Sequence, residues 1–188
     1  GHPFKVENDI QLFELMRSIE DKGVLVPLIV RSNPYGEGYE IIAGHRRKAA
    51  CAWAGIEEVP VIIRELDDAD AVIAMIDSNL QREHIKPSEK AYAYKMKLEA
   101  MKSQGKRNDL FVSQVGTKLE KEQTKEGKTI LRADERLAKE GGESRNQIAR
   151  YIRLTNLVPK ILDMVDEGKI AFTIGVELSY LTEEEQYE

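Results

Sequence analysis

Leu12, Leu15, Met16 and Ile19 recur at the spacing of one helical face, and Gly23 supplies a stop. Asn8 and Asp9 offer N-cap oxygens ahead of that face, with Gln11 placed to complete a capping box with Asn8. The apolar run 24–31 predicts a short strand, in which Pro27 calls for a bulge or an edge position. Residues 32–38, Ser-Asn-Pro-Tyr-Gly-Glu-Gly, are dense in turn formers, and 39–42 predicts the returning strand of a hairpin. After Gly44 the pattern becomes helical over 45–54 and closes at Gly55, and the β-branched stretch 59–64 predicts a third strand. These elements make a helix-and-hairpin α+β unit.

The next pattern, 67–79, is helical, and Pro87, suited to a first helical position, opens a long helix expected to reach about Gln104. Beyond it the strand signal disappears. Residues 105–128 carry Gly105, Gly116 and Gly127 among scattered lysines, have little periodicity, and read as a mobile linker. Helical patterning resumes at Ile130 and is broken at Gly141-Gly142, Pro159 and Gly168. The expected organisation is an α+β domain over 1–85 and an all-α domain over 86–188.

A chain of 188 residues, 41% hydrophobic and 32% charged, can fold as two small domains and is too apolar to be wholly disordered. No run is long enough to span a membrane and no signal peptide opens the sequence; with Cys51 as the one cysteine, a cytoplasmic setting is expected. The chain starts without methionine and stops inside an acidic helical pattern, so it reads as an excised fragment. A net charge of -5 argues against general affinity for nucleic acid. Its distribution alters that reading: Arg145, Arg150 and Arg153 fall within 144–153 with no acid among them, whereas Glu177, Glu183, Glu184, Glu185 and Glu188 crowd the end.

Leu137, Ala138, Gly142 and Ile148 have the spacing of a helix, a tight turn and a second helix crossing the first, a helix-turn-helix at about 132–155. Ser144 with Gln147 is a capping-box pair, which starts the second helix at Arg145. Ile148, Tyr151, Ile152 and Thr155 share a face expected to be buried, leaving Arg145, Asn146, Ala149, Arg150 and Arg153 on the other. Arginine can bridge two acceptors on guanine, and asparagine or glutamine two on adenine, so Ser144, Arg145, Asn146, Gln147, Arg150 and Arg153 are the candidate DNA contacts. The plainer alternative is a helical hairpin with a solvated basic face.

At Gly44-His45-Arg46-Arg47-Lys48 a strand ends on glycine and a helix opens with potentially cationic residues at the positive end of its own dipole. Like charges collected there call for an anion, and a phosphate is the economical choice, a solvated basic turn being the plainer one. A second polar cluster, Asp77-Ser78-Asn79-Leu80-Gln81-Arg82, closes the following helix; Asn79 offers a neutral oxygen to a metal or hydroxyl, and Arg82 an anion donor. No Cys and His spacing supports zinc.

With these residues in place the sequence resembles the ParB family of chromosome and plasmid partition proteins, its Noc-like members included, over nearly its whole length. The resemblance is carried, in the family's order, by His2-Pro3-Phe4, the helix end from Ser18-Ile19 to Gly23, Gly23-Val24-Leu25-Val26-Pro27, Tyr39-Glu40-Ile41-Ile42-Ala43-Gly44-His45-Arg46-Arg47, Val59-Pro60-Val61, Asn79-Leu80-Gln81-Arg82 and Ser144-Arg145-Asn146-Gln147. It implies a ParB/sulfiredoxin-like N-terminal domain that binds CTP and magnesium and governs closure of a DNA clamp. It further implies a helix-turn-helix reading a palindromic site on double-stranded DNA, a homodimer formed through a C-terminal domain absent from this sequence, a ParA-type ATPase as partner, and a place on the nucleoid.

The family's arginine loop maps onto Gly44, His45, Arg46 and Arg47, and its second nucleotide motif onto Ser78, Asn79 and Arg82, with Asn79 at the magnesium. His45 stands where the family has Glu, Ala49 where it has a further Arg, and Ser78 where it has the Glu linked to hydrolysis. Loss of that carboxylate makes CTP turnover slow or absent. The alternative function is a transcriptional regulator with a vestigial nucleotide pocket. Enzymes on the same fold fit less well: sulfiredoxin chemistry needs a cysteine at the phosphate loop, whereas Cys51 lies about two helical turns beyond Gly44, and no carboxylate cluster suits a nuclease.

Overall fold

The computed structural model describes residues 6, 9–82, 84–114 and 133–188, with backbone alone for 105–114. Two compact units divide between residues 83 and 84. His2-Pro3-Phe4, the Asn8 cap and the portion 115–132 of the expected linker lie outside the described residues.

In the first unit, helix α1 (Ile10–Lys22) is capped by Asp9, whose carboxylate accepts from Leu12 N at 2.7 Å, and it stops at Gly23, where φ is 72°. The Gly23 amide closes the last helical bond onto Ile19 O, and the chain then leaves at φ 72° and ψ -174°, a backbone region essentially restricted to glycine. The buried side chains of Leu12 and Ile19 pack on Ala50 and Cys51 of α2 (His45–Trp53), forming the core of this unit.

Strand β1 (Leu28–Ser32) starts four residues later than the apolar run suggests. Val24 is drawn into the α1–α2 core, and the carbonyls of Val26 and Pro27 are taken by Arg47, so this stretch has neither the side chains nor the acceptors for a ladder. β2 (Tyr39–Ala43) runs antiparallel to β1 with a register shift between Ile29 and Val30, and β3 (Val61–Ile63) runs parallel on the other side. The sheet order is β2-β1-β3. Helix α3 (Asp68–Leu80), capped by Asp67, packs against β2. The buried Arg31 joins strand to helix: it pairs with Glu40 at 2.6 Å and Asp68 at 2.8 Å, and donates to Leu66 O.

The second unit is helical throughout its described residues: α4 (Pro87–Gln114), α5 (Ala133–Gly141), α6 (Arg145–Arg153), a 3₁₀ turn (Leu154–Asn156), α7 (Pro159–Asp166), α8 (Phe172–Leu178) and α9 (Glu183–Tyr187). α4 runs ten residues past the expected end at Gln104. Gly105 weakens a helix by only about 1 kcal/mol relative to alanine, which long-chain helix formers on either side outweigh. The core is Ala91 of α4 with Leu154, Leu157, Leu162, Val165 and Val176. α8 approaches so closely at Gly175 that a Cβ there would lie 2.8 Å from Val165 Cγ2. The chain is therefore α+β, a small mixed sheet with helices followed by an all-α unit. Among the described residues no helix is long and apolar enough to cross a membrane.

Candidate functional site

Gly44 is the N-cap of α2 with φ 108°, and a Cβ on it would lie 2.8 Å from Leu28 Cγ. Only glycine can turn the chain from β2 into α2 at this spot. Lys48 N is the first amide to bond back, onto Gly44 O, so the amides of His45, Arg46 and Arg47 have no carbonyl within the helix.

The two guanidiniums beside it are already engaged. Arg46 grips Asp9 through two parallel bonds, Nη2 to Oδ1 at 2.7 Å and Nη1 to Oδ2 at 3.1 Å. That guanidinium, with help from the Leu12 amide, holds the Asp9 carboxyl below its ordinary range. Arg47 Nη1 donates to Val26 O and Pro27 O, each at 2.6 Å. In this structure the anion beside Arg46 is internal, and Arg47 is answered by backbone carbonyls. His45 is half-buried and Lys48 exposed.

At the end of α3, Asn79 is buried and donates through Nδ2 to Met75 O at 2.8 Å and more weakly to Ser78 Oγ, leaving its carbonyl oxygen as the end able to ligate. Ser78 is exposed, with its hydroxyl bonded to Met75 O. Arg82 is half-buried just beyond the helix, where its amide bonds to Asn79 O. Among the described residues no group of His, Cys, Asp and Glu could hold a metal.

In the helical unit, Ser144 caps α6, its hydroxyl accepting from Gln147 N at 3.1 Å. Leu137 and Ile148 are buried between α5 and α6, while Arg145, Asn146 and Ala149 stand exposed and Gln147 half-exposed. The face is not uniformly open. Arg145 pairs with Asp134 at 2.5 Å and Glu135 at 3.4 Å, both in the first turn of α5. Arg150 lies 5.4 Å over the Phe172 ring, and Arg153 stacks 3.9 Å over Tyr180 while donating to Ser179 O and Oγ. Arg153, expected on the solvent face, is thus partly a fastener between α6 and α8, because the short helix places its last turn against the residues after Leu178.

The turn before α6 has a support that the sequence did not reveal. Glu143 pairs with Lys90 of α4, whose ammonium lies 4.7 Å over Tyr151 of α6. Burial and the Glu143 carboxylate push the Tyr94 phenol well above its ordinary value. The available signal was the i, i+4 spacing of Lys90 and Tyr94 on one face of α4, but nothing local links it to Glu143, 53 positions from Lys90.

A model of the ParB N-terminal domain matches residues 2–80, and one of the ParB HTH domain matches residues 127–188. The chain belongs to the ParB family. ParB relatives similar to it include the chromosome-partitioning protein Spo0J of Thermus thermophilus, 34% identical over 159 residues, covering 85% of this chain and 47% of that protein. Stage 0 sporulation protein J of Bacillus subtilis is 35% identical over 173 residues, covering 92% of this chain and 50% of the relative. The chain spans about half the length of these curated relatives. Among solved structures it is similar to the C-terminally truncated ParB of Caulobacter crescentus complexed to the centromeric parS site. The TM-score is 0.55 at 26% identity, over 95% of this chain and 77% of that one. The ParB N-terminal match lies within the α+β unit, and the HTH match takes in α5 to α9, including the capped α6, but not α4.

Proposed function

We propose that this chain contains the nucleotide-binding and DNA-reading portions of a ParB-type partition protein, whose α6 reads a palindromic site on double-stranded DNA and whose α2 start accepts the phosphates of CTP. The observation that carries the DNA reading is α6 itself: a helix capped by Ser144 presenting Arg145 and Asn146 at its exposed first turn, with Arg150 a further turn along. Such a helix suits a major groove, and the solved relative is a complex with parS.

For the nucleotide, Gly44 lets β2 turn directly into the start of α2, where the amides of Arg46 and Arg47, unclaimed by helix carbonyls, would meet a phosphate and the Arg46 guanidinium would supply charge. Asn79 would present its carbonyl oxygen to magnesium, which when bound neutralises phosphate charge. Ser78 has no carboxylate to orient water, which suits a ligand-binding switch with slow or no hydrolysis. Clamp closure by a homodimer, engagement of a ParA-type ATPase, and nucleoid residence in the cytoplasm follow from the same reading.

A transcriptional regulator with a vestigial pocket is favoured by one observation, the internal engagement of both Arg46 and Arg47. Titration with labelled CTP, with and without duplexes selected from a random pool, separates the readings. Saturable binding that Arg46→Ala abolishes while static DNA affinity persists is the expected result. No saturation at millimolar nucleotide would leave the regulator, and failure to select any sequence would overturn both.

A further inference from the structure

The Asp9 carboxylate meets Arg46 edge to edge, two oxygens on two nitrogens, the same fork geometry that a phosphate would use. It is not loosely placed. Oδ1 also accepts from Leu12 N at 2.7 Å, so the helix cap fixes the carboxylate where the guanidinium finds it. Its acidity is raised by that guanidinium, and the group is ionised at neutral pH. The pair is partly shielded, with the Arg46 side chain 23% and the Asp9 side chain 38% exposed.

We propose that Asp9 is a built-in competitor at the anion site: it occupies Arg46 in the unliganded protein, must yield that edge to an incoming phosphate, and so sets the affinity for phosphorylated ligands. This rests on the nucleotide reading above. Two effects act in the same direction. Arg46 must break two charge-assisted bonds before offering the same nitrogens to phosphate, and a carboxylate left beside the ligand repels it. A ligand portion that never meets Arg46, such as a nucleoside, escapes both effects. Asp9 therefore weights recognition toward ligands bearing enough negative charge to displace it.

Asp9→Asn separates competitor from cap, because asparagine is as good an N-cap as aspartate but carries no charge. Binding of CTP and of cytidine to wild type and variant is measured by equilibrium dialysis with magnesium present, alongside melting temperatures. The expected result is CTP binding about two- to fivefold tighter in the variant, the scale of a partly exposed ion pair, with cytidine binding unchanged and the melting temperature lowered only slightly by loss of that pair. Equal or weaker CTP binding by the variant would make Asp9 a bystander or a positioning residue and overturn the proposal, as would an equal gain for cytidine. If neither protein binds CTP, the nucleotide reading falls and the inference with it; binding by wild type without tightening in the variant sinks the inference alone. Should Asp9→Asn melt far below that small shift, Asp9→Ser, also a neutral capping residue, takes its place with the same outcomes.

Discussion

Lys97 of α4, 2% exposed, holds its ammonium 3.0 Å from a carboxylate oxygen of Glu140 near the end of α5. An ammonium withdrawn from water is costly unless an anion answers it, and removing one partner of a buried pair costs far more than replacing both. Because Glu140 is itself half-exposed, Glu140→Gln should lower stability by about 1 to 2 kcal/mol, below the 3 to 5 of a fully buried pair. Lys97→Met, which keeps the aliphatic stem, should cost less. Urea unfolding checks the order; a larger loss for Lys97→Met would assign the stabilisation to the charge itself.

Gly44→Ala adds a Cβ at positive φ and within 2.8 Å of Leu28 Cγ, whereas Gly23→Ala meets positive φ but open space. The second should cost about 1 kcal/mol and the first about 2 to 4, backbone strain and overpacking adding together. Thermal melts of the two variants make the comparison, and equal losses would show that β1 gives way freely.

Tyr94 has its acidity suppressed by burial and by Glu143. A phenol whose folded value is raised contributes stability that is complete below the unfolded value near 10 and is lost as pH climbs through the folded one. In an alkaline titration followed by phenolate absorbance, one of the seven tyrosines should ionise after the exposed ones and together with unfolding. Tyr94→Phe should remove that late component; its persistence would place it elsewhere.

Arg150 and Arg153 should part company on mutation. Arg150→Ala is expected to weaken duplex binding and reduce the salt slope by about one, with little change in melting. Arg153→Ala should also lower the melting temperature, since its guanidinium fastens α8 through Ser179 and Tyr180. Fluorescence anisotropy at several salt concentrations, beside melts, distinguishes a reader from a fastener.

What the sequence made legible was local. Ser144 lies three residues from the amide it caps, Gly23 and Gly44 sit where the chain must turn, and the helical periodicities of α1 and α3 are complete within their own spans. What stayed hidden were partnerships over distance. Arg46 finds Asp9 across 37 positions, and Arg31 finds Asp68 through a turn of the whole unit. No window of sequence distinguishes an arginine waiting for phosphate from one already paired. The later start of β1 has a related cause: Val24 is as apolar as a strand requires, but its place in the helix-packed core is settled only by folding.

The single cysteine, Cys51, is 1% exposed beneath α1, and burial raises its thiol above the ordinary value. Both its access to reagents and its thiolate fraction are suppressed, so maleimides and spin labels should pass it by in the native state. This chain is thus a ready background for site-directed probes: a cysteine installed at exposed Lys48 or Asn146 would carry its only accessible thiol, one beside each charged helix start.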